Sequence, residues 1–324
     1  MGKIPKLINK ENKINFSIFI PTYSREESLK LTLESIFEHW KLENLDKVII
    51  SDNNECSLAF DVIQKFNPLI INYSKNNFNI GIDKNMLRFL NLCNSKYCWL
   101  LGDDDFLNTS SYNLIEPFLK MDFDFLIMLD GNQMTKYKTG IHTFKNINEI
   151  GRFFMCFWDK TPFGNIIINV DKAKLVNKSV DLNKYIGSSH AYSGLLWEVL
   201  CSESSTKNIV IIEEKVVDLG KVTKTWSDSA IKIYLYEIPL WFRLLPINLK
   251  SFSDKVAVKY IKSISQRGYL ILYAKYLTKE EGNKQKFNQY SSLFPFVFKA
   301  KVKMFYLIYP IYRLVIYVIK KKDL

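Results

Sequence analysis

Along the first part of the chain, short apolar runs alternate with stretches in which apolar residues recur every three or four positions. Ile14 to Ile20 is an apolar run ending at Pro21-Thr22-Tyr23, the pattern of a buried strand leading into a loop. Ser24 followed by Glu27 predicts a capping box. The helix it opens carries Leu29, Leu33, Ile36, Phe37 and Trp40 at helical spacing. Val48 to Ile50 predicts a second strand, closed by Ser51-Asp52-Asn53-Asn54, and Leu69 to Tyr73 a third. Asp83 to Leu92 predicts a helix. Tyr97 to Leu101 predicts a fourth strand that runs directly into Gly102-Asp103-Asp104-Asp105, and Phe123 to Leu129 a later one.

Strands and helices in this alternation predict an α/β fold, a Rossmann-like and mostly parallel sheet with helices on both faces. Ligands of such sheets bind beyond the carboxyl ends of the strands. The polar clusters fall there: Thr22-Tyr23-Ser24-Arg25, Asp52-Asn53, Asn79-Ile80-Gly81 and the triple aspartate. Four clusters on one edge predict a single site.

The pattern changes near residue 220, which divides the chain into an α/β domain at 1–220 and a helical region at 221–324. Ile233 to Leu249 is rich in Tyr, Trp, Leu and Pro. Met304 to Ile319 is almost wholly apolar or tyrosine, with Lys299, Lys301 and Lys303 before it and Lys320 to Lys322 after it. As a helix it would reach only ~24 Å, short of the roughly 30 Å hydrocarbon core, and Arg313 lies inside it. Met304, Leu307, Ile308, Ile311, Val315, Val318 and Ile319 share one face, and Tyr306, Tyr309, Arg313, Tyr317 and Lys320 the other. That pattern predicts an interfacial helix lying on an anionic membrane; a terminal helix packed on the core with lysine flanks is the alternative.

Composition narrows the partners. Lysine and arginine outnumber acids 45 to 33, a formal net charge of +12, which favours nucleic acid, an acidic lipid surface or phosphorylated substrates. No nucleic-acid-binding module is recognisable, and the three aspartates would repel a phosphate backbone, so no nucleic acid is expected. The apolar content of 48% excludes wholesale disorder. Five scattered cysteines without a CxxC pair argue against a zinc site and for free thiols in a reducing compartment. Met1 to Lys13 lacks the apolar core of a signal peptide. The expected location is cytoplasmic, peripheral on the inner face of the plasma membrane.

Adjacent carboxylates at the end of a buried strand repel one another unless a cation lies among them. Hard oxygen ligands suit Mg²⁺ or Mn²⁺, and such an ion could neutralise a leaving diphosphate.

The motifs Phe19-Ile20-Pro21-Thr22-Tyr23-Ser24-Arg25, Ile50-Ser51-Asp52-Asn53, Asn79-Ile80-Gly81-Ile82-Asp83-Lys84-Asn85 and Trp99-Leu100-Leu101-Gly102-Asp103-Asp104-Asp105 resemble the family 2 glycosyltransferases. Within that family the sequence is most similar to the abequosyltransferase-like branch of O-antigen and capsule enzymes. The resemblance covers Phe16 to Asp130, thins towards Gly220 and leaves the C-terminal third uncovered. It implies a GT-A fold, inverting chemistry and a nucleoside-diphosphate sugar, of the UDP or CDP type, as donor. By position, Thr22, Tyr23 and Arg25 would line the nucleoside pocket, Asp52 would bond the base, and Asn79 would belong to the donor site. Lys84 would lie near the diphosphate or ribose, Asp103 and Asp104 near ribose and donor sugar, and Asp105 would be the metal ligand. Asp52 as a turn cap and Lys84 as a solvated helix residue are the plainer alternatives.

Inversion needs a general base for the acceptor hydroxyl. The family draws it from an acidic pair before a helix, and here the corresponding stretch runs from Gly187 to Trp197, with His190 where an aspartate is expected. His190 could be the base, since an imidazole ionises near neutral pH, a metal ligand, or a structural residue. Asp181 and Glu198 are the fallback carboxylates. Phe163-Gly164-Asn165 resembles a loop that opens a strand near the acceptor. Trp226 could stack on a sugar, and His39 and His142 are expected at the surface. The acceptor implied is a lipid-linked glycan. Competing readings are a soluble or polymeric acceptor with the C-terminal helices as an oligomer interface, a transferase that binds without reacting, and a non-catalytic protein that binds anionic surfaces.

Overall fold

Residues Phe16, Ile18, Phe19 and Ile20 have no exposed surface, so the first strand is covered on both faces, the condition under which strands become continuous apolar runs. A computed structural model of the chain describes residues 14–56, 58–129, 131, 135–202, 206–219, 230–264, 283–291 and 298–304, with 273, 277, 306 and 307. The chain forms two compact units, one of Met1–Asn183 with Ala191–Thr223 and the other of Lys184–His190 with Lys224–Leu324.

In the first unit, the strands are β1 (Phe16–Thr22), β2 (Lys47–Asp52), β3 (Ile71–Lys75), β4 (Tyr97–Leu100), β5 (Asp105–Leu107), β6 (Phe125–Met128), β7 (Gly140–Phe144), β8 (Ile166–Asn169), β9 (Lys207–Ile212) and β10 (Val217–Leu219). Eight of them form one sheet in the order β3-β2-β1-β4-β8-β6-β9-β7, while β5 and β10 pair separately and antiparallel. Four of the seven pairings in the large sheet are parallel. Direction reverses where β8 lies between β4 and β6, and again at the edge strand β7. The register Thr22↔Asp52 and Phe19↔Leu100 brings the carboxyl ends of β1, β2 and β4 to one edge, as the sequence predicts.

Helices α1 (Glu26–His39), α2 (Leu58–Ile63), α3 (Ile82–Leu87), α4 (Phe89–Leu92), α5 (Ser111–Leu119), α6 (Ile147–Phe157), α7 (Val170–Ser179) and α8 (Ala191–Cys201) connect these strands. Leu29, Leu33, Ile36 and Trp40 enter the core with Phe16 and Trp99. The expected capping box does not form. Arg25 is the N-cap and makes no side-chain cap bond, because Ser24 takes a positive φ of 53° and its hydroxyl accepts from Asn54 Nδ2 at 3.1 Å. Glu26 and Glu27 in the first turn meet the positive end of the helix dipole instead. The helix expected at Asp83–Leu92 divides into α3 and α4 at Arg88, whose amide bonds Asn85 O in a tighter turn.

The second unit is helical: α9 (Ala230–Lys232), a π-helical turn at Ile233–Glu237, α10 (Ile238–Leu244), α11 (Lys250–Ile264) and α12 (Asn283–Tyr290). Phe242 packs on Trp241 and Tyr260 at 5.3 and 5.8 Å between ring centres. Lys232 pairs with the buried Glu237 at 2.7 Å. Among the described residues no helix is long and apolar enough to cross a membrane. The interfacial helix expected at Met304–Ile319 lies outside the described residues beyond Leu307, as does Trp226.

Candidate active site

The loop that leaves β4 turns its aspartates back towards the end of β1. Thr22 Oγ1 donates to Asp103 Oδ2 at 2.8 Å. Arg25 Nη1 donates to Asp103 Oδ1 at 3.0 Å and to Asp104 Oδ2 at 3.1 Å, so one guanidinium ties two of the three acids. Burial lowers the Arg25 pKa, but Asp103 and Asp104 more than offset it and the net shift is upward. Burial raises Asp103 to about 6, against the opposing pull of Arg25 and Thr22.

Asp105 is held differently. Its Oδ2 accepts the Gly102 amide at 3.0 Å, and among the described residues no lysine or arginine pairs with it, although the charge of Arg25 acts on it. Burial, then the charges of Asp104 and Asp103, push its pKa to about 7. A Cβ at Gly102 would lie 2.5 Å from Asp105 Oδ2, and one at Gly164 only 2.1 Å. The carboxylate therefore fills the space of two missing side chains. Gly164 has φ +104°, a conformation that favours glycine. Its amide bonds Leu100 O at 2.8 Å, and its carbonyl accepts Trp99 Nε1 at 2.6 Å. Gly164 of the Phe163-Gly164-Asn165 loop, expected near the acceptor, thus lies against the Asp105 carboxylate.

A second network fixes the neighbouring edge. Asp52 is fully buried and accepts from Tyr73 Oη and the Asn54 amide, each at 2.8 Å. In this arrangement it caps the turn after β2, the plainer of its two expected roles. Asn53 Nδ2 donates to Asn79 Oδ1 at 2.7 Å, while Asn53 Oδ1 accepts from Asn76 Nδ2 and the Ile80 amide. Asn85 joins Ser51 and Asn76, and Arg88 reaches Ser51 and Ser74. Tyr23 is exposed at the mouth of this edge, and Lys84 is exposed on α3.

Sequence reasoning missed Asp83. It is buried, and its Oδ1 accepts the amide of Ala191 at 3.0 Å, satisfying an orphan donor at the start of α8. His190, the preceding residue, is half-buried in the second unit. Its Nδ1 lies 2.7 Å from Ser188 O. A carbonyl can only accept, so Nδ1 carries a hydrogen. Its ring centre is 6.1 Å from that of Trp241. Of the fallback carboxylates, Asp181 is exposed and Glu198 is buried within α8.

The structure thus brings together Thr22, Arg25, Asp103, Asp104 and Asp105, with Asp52 and Asn79 in the adjoining network. Among the described residues no three His, Cys, Asp or Glu side chains form a metal-binding group. Asp103 and Asp104 are engaged by Arg25, so of the three carboxylates it is Asp105 that suits a hard cation whose remaining ligands would come from substrate oxygens.

Comparison with known proteins decides the family. The model of "Glycosyl transferase family 2" matches residues 17–181, just over half of the 324-residue chain. The chain belongs to glycosyl transferase family 2. A relative, abequosyltransferase RfbV of Salmonella typhimurium, is 37% identical over 113 residues, which cover 33% of this chain and 33% of its own. The match thus spans about a third of that curated relative. S. aureus TarS 1-349, solved in complex with UDP-GlcNAc, has a TM-score of 0.54 and 13% identity, covering 90% of this chain and 89% of its own. The mannosyltransferase PcManGT of Pyrobaculum calidifontis, solved with GDP-Man and Mn²⁺, has a TM-score of 0.54 at 9% identity, covering 92% and 88%. At these identities the two structures establish the fold, GT-A, for this member of the family.

Proposed function

We propose that the chain is an inverting, metal-dependent glycosyltransferase that moves a hexosyl or deoxyhexosyl group from a nucleoside-diphosphate sugar to a lipid-linked oligosaccharide. The product would serve a bacterial surface polysaccharide, O-antigen or capsule. The observation that carries this reading is the acidic loop after β4, bound to the end of β1 through Thr22 and to the start of α1 through Arg25, with an Asp105 that no cation pairs with among the described residues. The likeness to an abequosyltransferase supports the pathway, and the nucleotide sugars bound to TarS and PcManGT support the donor class.

In this reading Tyr23 offers its exposed ring to the nucleobase, and Asp52 and Asn79 fix the turns that bound the base pocket. Lys84 supplies a cation for the diphosphate, and Asp103 and Asp104 face ribose and donor sugar. Asp105 would hold Mn²⁺ or Mg²⁺, which when bound would neutralise charge on the leaving diphosphate. The acceptor oxygen attacks the anomeric carbon as the carbon–oxygen bond to the diphosphate breaks, and the hydroxyl proton passes to His190 Nε2. A ligand role for His190 is the alternative. The enzyme would work at the cytoplasmic face of the plasma membrane, with the basic, tyrosine-rich C-terminal segment on anionic lipid.

Calorimetric titration with UDP, CDP, GDP and dTDP, each with and without Mn²⁺, tests the reading. Metal-dependent binding of UDP or CDP is expected. If no nucleotide binds with metal present, the acidic loop is not a donor site and the proposal fails.

A further inference from the structure

Strand β7 is the edge of the large sheet, four strand steps from β4, or roughly 19 Å at ~4.8 Å per step. Beside it and α6 lies a cavity of about 290 Å³, lined by residues that include Lys136, Tyr137, Phe144, Lys145, Glu149 and Arg152. Small-molecule sites span ~300–1,000 Å³, so this one suits a compact polar group better than a whole nucleotide sugar.

Its charge is one-sided. Three cations face a single acid, and Glu149 Oε2 is engaged by the Lys145 amide at 2.7 Å. Nearby Lys138 is paired with Glu213 at 3.0 Å. Among the described residues no ion pair joins Lys136, Lys145 or Arg152 to a carboxylate. Cations gathered without counter-ions repel each other, and an anion among them removes that cost.

The aromatic wall is fixed. The Tyr137 ring stands edge-on to His142, Phe153 and Phe157 at 5.3, 5.4 and 5.5 Å. Lys136 Nζ lies 5.1 Å from its centre. Thr135 Oγ1 donates to Tyr137 O and accepts the Tyr137 amide, which holds the loop. His142, expected at the surface, is half-buried, because its Nε2 donates to Lys138 O at 2.8 Å and its ring packs on Tyr137.

We infer that this cavity binds a phosphate or diphosphate group separate from that of the sugar donor. Arg152 can present a fork to two oxygens, and the two lysines act as point charges. Resting on the transferase reading, the bearer is the phosphate of the acceptor, a lipid-linked diphosphate. The acceptor would then be gripped away from its reacting end.

The test is calorimetry on the full chain in EDTA, where the acidic loop repels anions. The probes are inorganic pyrophosphate, a short water-soluble prenyl diphosphate and phosphatidylglycerol vesicles. Saturable binding is expected, weakened about tenfold or more by Lys145→Ala/Arg152→Ala and unchanged by Asp105→Asn. Both substituted cations are exposed, and circular dichroism verifies that the variant folds. Tighter binding of the prenyl diphosphate than of pyrophosphate identifies a lipid-linked phosphate as the source. Equal affinities identify a free phosphate, and binding of vesicles alone, if lost in the double variant, identifies a lipid headgroup. No binding of any probe, or equal binding by wild type and double variant, overturns the inference. Anion binding that persists where nucleotides with Mn²⁺ fail to bind would remove the transferase reading and leave this one standing.

Discussion

Asp105→Asn should stabilise the metal-free protein at neutral pH. The wild-type carboxyl is raised from 3.8 to about 7 by burial and by its acidic neighbours. Below pH 4 the folded and unfolded chains both hold the proton, and the group contributes no difference. Between pH 4 and 7 the folded state keeps a proton that the unfolded chain releases, so stability falls as pH rises. The full loss corresponds to roughly 4 kcal/mol, at about 1.36 kcal/mol for each pK. Asparagine carries no charge, yet its amide oxygen can still accept the Gly102 amide. Urea denaturation of both proteins in EDTA, from pH 3.5 to 8.5, gives the difference directly. The two should be nearly equal at the acid end, with the variant ahead by ~2–4 kcal/mol above pH 7. Mn²⁺ should recover stability in the wild type alone. Parallel pH profiles, or a wild type that is the more stable above pH 7, would refute the account of an uncompensated Asp105.

Gly164→Ala must displace the Asp105 carboxylate, since its Cβ would fall 2.1 Å from Oδ2; nucleotide affinity in Mn²⁺ should drop tenfold or so, and unchanged calorimetric affinity would count against the cradle. Arg25→Ala leaves the buried Asp103 without its cation, so stability at pH 7 should fall by ~1–3 kcal/mol and less at pH 5, as denaturation would show. Removing the acceptor for Ala191 with Asp83→Ala should cost about 1 kcal/mol, visible as a lower urea midpoint. His190→Ala should retain nucleotide binding while slowing transfer, and loss of metal affinity instead would make His190 a ligand.

Much of the donor edge is legible in the sequence, because a strand end is marked by an apolar run meeting polar residues. Thr22 and Asp52 are the last residues of their strands, and the triple aspartate follows shortly after Leu100, where β4 ends. What periodicity lacks is the partner. Ile166-Ile167-Ile168 reads as a strand, but nothing in it says that β8 runs antiparallel between β4 and β6. Ser24 and Glu27 had the spacing of a capping box, and a tertiary bond from Asn54 won the serine. Gly164 gives no local sign that its missing side chain makes room for Asp105. Asp83 looks like an ordinary first-turn acid until the fold brings Ala191 to it.

The edge built on Asn53, Asn54, Asn76, Asn79 and Asn85 is joined largely by neutral amides. Amide bonds are indifferent to protonation across the working range and are weakly screened by salt. Acid or added electrolyte will therefore alter the charges of the aspartate loop while this frame keeps its shape. A change in nucleotide affinity with ionic strength can then be read as electrostatics on a fixed scaffold, with the slope reporting how many charges meet the ligand.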